Sequence, residues 1–301
     1  MSANSIYADP LKNPPLTEEF YSLAEDEYQF FKSQTGIEEP EELKAHIIAV
    51  QKKAYEIYGY PCIRSFSFIK LKIARMPAYP SALKLSRERE DAILLDIGCC
   101  FGNDARKAVV DGWPVRNVIA SDLRKGFWDF GHELFKSTPE TFPAAFVEGD
   151  AFDPAMIAPR APFYEAPTTP RPDLAHLTSL TPLQGHVSAI HASSFFHLFG
   201  EERQLELARR VATLLSPLPG SVIFGAHGGL PQKGLRAENR GSDLVSMFCH
   251  SPESWGELWD GQIFDKGTVK VEAFLRKIMR PDISGVDAPD FFLIVWSMTR
   301  L

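Results

Sequence analysis

The sequence predicts a doubly wound α/β fold: a mostly parallel seven-stranded sheet with a C-terminal antiparallel hairpin and an N-terminal helical lid. Three observations carry this. Short apolar runs, AILLDIG, NVIASDL, AAFVEGD, VSAIHAS and SVIFGAH, recur from residue 92 onward. They alternate with helical or loop segments, as buried parallel strands joined by crossovers must. At the end, VKVEAFLRKI and FFLIVWSMTR are separated by MRPDISGVDAPD, too short for a crossover helix, so they read as a hairpin.

The elements follow in order. Residues 1–16 are polar and proline-rich and read as an arm. In PEELKAHIIAVQKKAYEIYGYP, Leu43, Ile47, Val50, Ala54 and Ile57 share a helical face, Pro40 suits the first turn, and Gly59 with Pro61 ends the run. PCIRSFSFIKLKIARMPAYP mixes alternation with prolines and is assigned no element, and LSRERED reads as a solvated lead-in to the first strand. EERQLELARRVATLLSPLPG puts Leu205, Ala208, Val211 and Leu215 on one face and stops at Pro217 and Gly220. PRAPFYEAPTTPRPD at 159–173 reads as an exposed loop. SPESWGELW reads as a helix capped by Ser251 with Pro252 at its first position, its Trp255 and Trp259 on one face and packed in the core. The division expected is an arm and lid over residues 1–90 and a ligand-binding domain over 91–301.

Composition narrows the function. A net charge of −7 argues against phosphate-backbone binding, which requires concentrated positive charge, so no nucleic-acid partner is expected. Cys62, Cys99, Cys100 and Cys249 lack CxxC or Cys/His ligand spacing and read as reduced thiols; no metal site is expected. No apolar run is long enough to span a membrane, and the N-terminus lacks a signal-peptide core. The expectation is a cytoplasmic protein with a small-molecule substrate, with pairing into a homodimer as an alternative to a monomer.

In open α/β sheets ligands sit beyond the carboxyl ends of the strands. Those ends supply Asp96, Gly98 and Gly102 after the first strand, Asp122 and Leu123 after the second, and Asp150, Ala151 and Phe152 after the third. Small residues in the first turn let backbone approach a ligand and expose the N-terminal amides of the next helix. Asp122 is placed to accept from ribose hydroxyls. Asp150 is placed to accept from an adenine amino group, with the Ala151 amide and the Phe152 ring beside it. Each piece alone is common, but the three in sequence at successive βα units point to an adenosyl group.

Two cofactors supply one. A nicotinamide dinucleotide carries a pyrophosphate that wants the three glycines of GxGxxG, and GCCFGN lacks the second. S-adenosylmethionine has no phosphate there, so Cys100 is tolerable, and Asp96 is placed to reach its ammonium directly or through water. Ser193, after the fourth strand, and Arg64, on the N-terminal segment, join the cofactor-binding candidates; Tyr60 and Arg64 are placed to meet the methionine carboxylate or an acidic substrate.

The chain resembles class I S-adenosylmethionine-dependent methyltransferases, and more closely a fungal group of meroterpenoid and related secondary-metabolite pathways. The likeness rests on YPCIRSFSFI (60–69), LLDIGCCFGND (94–104), ASDL (120–123), EGDAFD (148–153), IHASSFFHLF (190–199), PGSVIFGAHGG (219–229) and HSPESWGELW (250–259), and covers about residues 55–301. It implies that Asp122 with Leu123 and Asp150 with Ala151 hold the adenosine, and that the reaction is O-methylation of a phenolic hydroxyl or, typically, a carboxyl group on an aromatic or terpenoid acid. After the fifth strand the group carries an Arg-Gln-like pair; here stand Ala226 and His227.

A carboxylic acid with a pKa near 4 needs only orientation for methylation, whereas a phenol near 10 needs a base. His191, His197, His227 and His250 all follow strands four and five. His197 first and His227 second are the catalytic candidates, as base for a phenol or as orienting donor for a carboxylate. The alternatives are N-methylation of a small amine and a module that binds cofactor without turning over. NPPY, the mark of DNA-amino methyltransferases, is absent; HASSFF stands there instead.

Overall fold

The computed structural model describes residues 14–240, 243–280 and 290–301. Chain order runs α1 (Glu25–Thr35), α2 (Pro40–Ile57), α3 (Pro61–Arg64), α4 (Tyr79–Glu88), β1 (Ile93–Ile97), α5 (Asn103–Val110), β2 (Val118–Asp122), α6 (Lys125–Leu134) and β3 (Ala145–Glu148). It continues with β4 (Val187–His191), α7 (Glu201–Leu214), β5 (Val222–Gly229), β6 (Gly234–Arg240), β7 (Asp243–Cys249), α8 (Pro252–Trp259), β8 (Val269–Ile278) and β9 (Phe291–Arg300).

Seven strands form one sheet in the order β3-β2-β1-β4-β5-β9-β8. The first five are parallel, and β9 pairs antiparallel with both β5 and β8. The chain winds outward from β1 through β2 to β3, then returns to place β4 on the other side of β1. That reversal parts the connections on either side of β1 and opens a crevice at the carboxyl ends of β1 and β4.

Alternation along β1 explains why both faces are covered. Ile93, Leu95 and Ile97 pack into one core with α7 and α8, while Leu94 packs into the other with Ala105, Ala108 and Trp113. A third core joins the N-terminal helices to the sheet: Phe30, Phe31, Leu43, Ile47 and Val50 close on Phe127, Leu134 and Phe135 around α6. The face of α2 foreseen from its periodicity is the buried one.

Three features depart from the sequence reading. The LSRERED lead-in is helical as far as Glu88, because Tyr79, Ala82 and Leu85 give α4 a buried face. The unassigned segment before it holds α3 and two 3-10 turns. The β6–β7 ribbon between β5 and α8 was not foreseen; the strands pair only with each other, as a separate two-stranded sheet.

The turn after β1 also works differently. Gly102 adopts φ 72° as the residue before α5, and a Cβ there would lie 2.5 Å from the Trp128 ring of α6. Its smallness serves packing between α5 and α6. Replacing Gly102 by Ala combines a left-handed backbone with an overpacked contact, so the expected loss of stability is about 2–4 kcal/mol. Urea unfolding checks this: an unchanged midpoint contradicts it.

Candidate active site

A cavity of about 1620 Å³ opens at the carboxyl edge of the parallel strands. Pockets for one drug-sized ligand run about 300–1,000 Å³, so this volume suits two occupants side by side. Gly98, Asp122, Leu123, Asp150, Ala151 and Phe152 line its sheet side, converging from β1, β2 and β3. Ser193, Phe195 and His197 line it after β4, and Tyr60, Cys62 and Lys72 from the N-terminal segment.

The β1 turn is shaped around its neighbours. Gly98 adopts φ 72°, and a Cβ there would stand 2.9 Å from the Phe195 ring. Cys100 takes φ 52°, a left-handed conformation that costs a side-chain-bearing residue about 1–3 kcal/mol. The turn is clasped from β2: Asp122 accepts the Cys100 N–H at 2.9 Å through Oδ2 and the Arg124 N–H at 3.2 Å through Oδ1. Burial nevertheless raises the Asp122 carboxyl above the usual range. Each oxygen keeps a further lone pair, and two vicinal hydroxyls suit such a carboxylate.

At the end of β3, Asp150 Oδ1 accepts the Phe152 N–H at 2.9 Å, which fixes the carboxylate at the cavity wall. Among the described residues the Ala151 N–H has no protein acceptor. The Phe152 ring meets Phe199 edge-on at 4.9 Å, and the Arg203 guanidinium lies 3.8 Å from its centre, so one face is occupied by a cation.

Asp96 does not face the main cavity. It borders a recess of about 40 Å³ beneath it, which shares Gly98, Cys100 and Ser193 with the cavity wall. Its Oδ1 bonds His191 Nδ1 at 2.8 Å, and its Oδ2 is buried without a hydrogen-bond partner. An orphaned carboxylate oxygen next to the glycine turn is the chemistry an ammonium group satisfies, so the donor set fits S-adenosylmethionine.

The histidines divide. His197 lines the cavity; its Nδ1 accepts the Gly228 N–H at 2.9 Å, which leaves Nε2 as the ring N–H. Burial, with the charges of Arg280 and Lys72, lowers its pKa to about 3. Burial therefore disfavours His197 as a base for a phenol, and the Ser194 carbonyl lies beside its ring. His227 is corrected outright. It is fully buried away from the cavity, its Nδ1 accepts the Trp296 N–H at 3.1 Å, and Trp255 packs against it at 4.7 Å. Burial holds it neutral. His250 also packs against Trp255 and bonds Ser254. Trp255 and Trp259 are core residues rather than a stacking surface for substrate.

Two cofactor candidates stand elsewhere. Gly102 is not at the cavity wall, for the packing reason above. Arg64 donates through Nε to the Pro15 carbonyl at 2.9 Å and lies over the Phe20 ring, so its guanidinium ties the arm to α3. The sequence reading missed Cys62, Lys72, Arg203 and Arg280 at the wall. The basic alternation in IKLKIAR was the available signal for Lys72, and the segment's lack of periodicity hid it.

Residues 16–69 match the family described as the meroterpenoid methyltransferase N-terminal domain. The O-methyltransferase phiE of a fungal species is 34% identical over 76% of this chain and 68% of its own length. The Asnovolin E/Chermesin D methyltransferase nvfJ of Aspergillus novofumigatus is 31% identical over 75% of this chain and 72% of its own. Among solved structures, the Burkholderia thailandensis 1,6-didemethyltoxoflavin-N1-methyltransferase with bound S-adenosylhomocysteine aligns with a TM-score of 0.46 at 14% identity, covering 88% of this chain and 92% of that one. The sheet order and the converging strand ends define a class I S-adenosylmethionine-dependent methyltransferase. The chain belongs to the family of fungal secondary-metabolite methyltransferases that includes phiE and nvfJ.

If burial sets the state of His197, its ring stays neutral throughout pH 5–8. Nitrogen-15 NMR of the imidazoles checks this, and a His197 midpoint above 5 contradicts it.

Proposed function

We propose that this chain transfers a methyl group from S-adenosylmethionine to the carboxylate of a hydrophobic small-molecule acid. The observation that carries the choice of acceptor is the pairing of a non-basic His197 with two cations. Lys72 and Arg280 line the cavity, and both lie close enough to His197 and Cys62 to bias their ionisation. Among the ion pairs of the described residues, Lys70 is taken by Glu27 and Arg75 by Asp26, whereas Lys72 takes part in none. A carboxylate arrives ionised at neutral pH and needs positive charge and orientation; a phenol needs a base, and His197, the one histidine among the described lining residues, is held neutral by burial. The same cations disfavour a protonated amine, which weighs against N-methylation.

When bound, the cofactor would supply a methyl group on a positively charged sulfur. Asp122 is suited to hold the ribose diol, and Asp150 with the Ala151 N–H to hold the adenine edge. Asp96 offers its unpaired oxygen to the ammonium. Lys72 and Arg280 steer the acid to the transfer end, with the neutral His197 N–H as an orienting donor. Holding two reactants at attack distance is worth about 7–11 kcal/mol in well-oriented systems, enough to carry much of the rate without proton transfer. The segment over residues 14–90 then serves as a lid, since Tyr60, Cys62 and Lys72 line the cavity; residues 1–13 of the expected arm lie outside the described residues. The large apolar share of the wall suits a terpenoid or aromatic skeleton. Among the described residues no helix is long and apolar enough to cross a membrane, and no cluster of metal-ligating side chains is present.

Three outcomes are expected. Asp122→Ala should weaken S-adenosylhomocysteine binding by about 1.5–3 kcal/mol, the worth of a hydrogen bond to a charged group, as read by calorimetric titration; equal affinity removes Asp122 from the site. With tritium-labelled S-adenosylmethionine, a panel of aromatic and terpenoid acids should accept label while the matching phenols and amines do not. Lys72→Met should raise the acceptor KM about tenfold, as loss of one charged contact implies, with cofactor affinity kept. Label transferred to phenols alone contradicts the carboxylate reading.

A further inference from the structure

Between the sheet and the cavity floor runs a chain of three polar side chains. Asp96 Oδ1 meets His191 Nδ1 at 2.8 Å, and His191 Nε2 meets Ser193 Oγ at 2.7 Å. The Ala226 N–H reaches the same serine oxygen at 3.3 Å. Asp96, His191 and Ser193 are all buried, and only Ser193 lines the main cavity. The chain is a consequence of the fold: β1 and β4 are neighbours, and their register sets Asp96 opposite His191.

The position of one proton decides what Ser193 presents. If His191 carries a proton on Nδ1 only, Nε2 is an acceptor and the serine O–H must point at it. If both nitrogens are protonated, Nε2–H donates to the serine oxygen, which already accepts from Ala226, and the hydroxyl proton turns outward. We infer that Ser193 is a hydrogen-bond donor into the cavity for a carboxylate group, and that doubly protonated His191 is the positioning residue that sets this polarity. Resting on the methyltransferase reading, this adds a carboxylate-binding donor to the site.

The charge balance around the ring supports it. Asp96 faces it from β1 and Asp104 from α5, both buried, while Lys72 approaches from the lid segment; on the β5 side stands the uncharged Phe224 ring at 5.4 Å. The buried Asp96 carboxylate, with no arginine bonded to it, favours positive charge on the ring it bonds, and Asp104, whose carboxyl burial raises, adds to this in its ionised form. Burial alone would lower the His191 pKa, but the bond to Asp96 and the charges of Asp96 and Asp104 outweigh it and raise it. As pH climbs through that raised value the ring loses its Nε2 proton, the serine turns to the imidazole, and the donor is withdrawn from the cavity.

The carboxylate has two sources, the methionine tail of the cofactor and the acceptor acid. Imidazole nitrogen NMR on the intact protein tests the proton count directly. Both His191 nitrogens should be protonated at pH 6, with a midpoint above the ordinary 6.5; a neutral ring bearing only Nδ1–H at pH 6 overturns the proposal. The second measurement is the pH dependence of S-adenosylhomocysteine affinity, of the affinity of its decarboxylated analogue, and of kcat/KM for an acid from the panel above, in the parent and in Ser193→Ala. Ser193→Ala should cost about tenfold below the His191 midpoint and little above it. A loss for S-adenosylhomocysteine but not for the decarboxylated analogue assigns the donor to the cofactor, and a loss in kcat/KM alone assigns it to the acceptor. A Ser193→Ala protein with unchanged profiles in all three overturns the proposal. Absence of S-adenosylhomocysteine binding to the parent would instead count against the cofactor reading, while the imidazole spectrum still decides the state of His191.

Discussion

The Asp122 carboxylate joins two strands at the point where the fold must open a ligand site. By accepting the amides of Cys100 and Arg124 it ties the turn after β1 to the end of β2. A buried carboxylate is expensive, and burial does raise its pKa. Backbone amides offset part of that cost, and a ribose diol would satisfy its remaining lone pairs. Together with the Gly98 and Cys99 N–H bonds to the Ser121 carbonyl, this clasp positions the Gly98–Cys100 turn against β2.

The rest of the cavity sorts charge by position. Two carboxylates, Asp122 and Asp150, stand at the strand ends on the cavity wall, and Asp96 and Asp104 border the small recess beneath it with His191. Cations sit higher, with Lys72 from the lid segment and Arg280 from the C-terminal hairpin side. Near His197 the environment is tuned the other way: burial and neighbouring cations strip the ring of basicity. A neutral histidine beside two cations suits, in the function proposed above, an acceptor that arrives already ionised.

Much of this was legible in the sequence, for a local reason. Strand ends are fixed by short apolar runs and by the residues that follow them, so Asp122, Asp150 and the terminal hairpin could be placed from spacing alone. What could not be read depends on contacts distant in the chain. Gly102 looks like a ligand-facing glycine until Trp128 occupies the space beside it. His227 follows β5 as a site residue should, yet its side chain meets Trp255 and Trp296 rather than the cavity. Arg64 is captured by Pro15, and Lys72 lies in a segment without periodicity. The Asp96–His191–Ser193 chain is set by the register of β1 against β4, strands separated by two others in sequence.

The most direct measurement is a crystal structure of the protein with S-adenosylhomocysteine. The account places the ribose hydroxyls within hydrogen-bond distance of Asp122, the adenine edge at Asp150 and Ala151, and the sulfur facing the space between His197 and Lys72. An adenosine bound elsewhere, or bound with its sulfur turned away from His197 and Lys72, contradicts it.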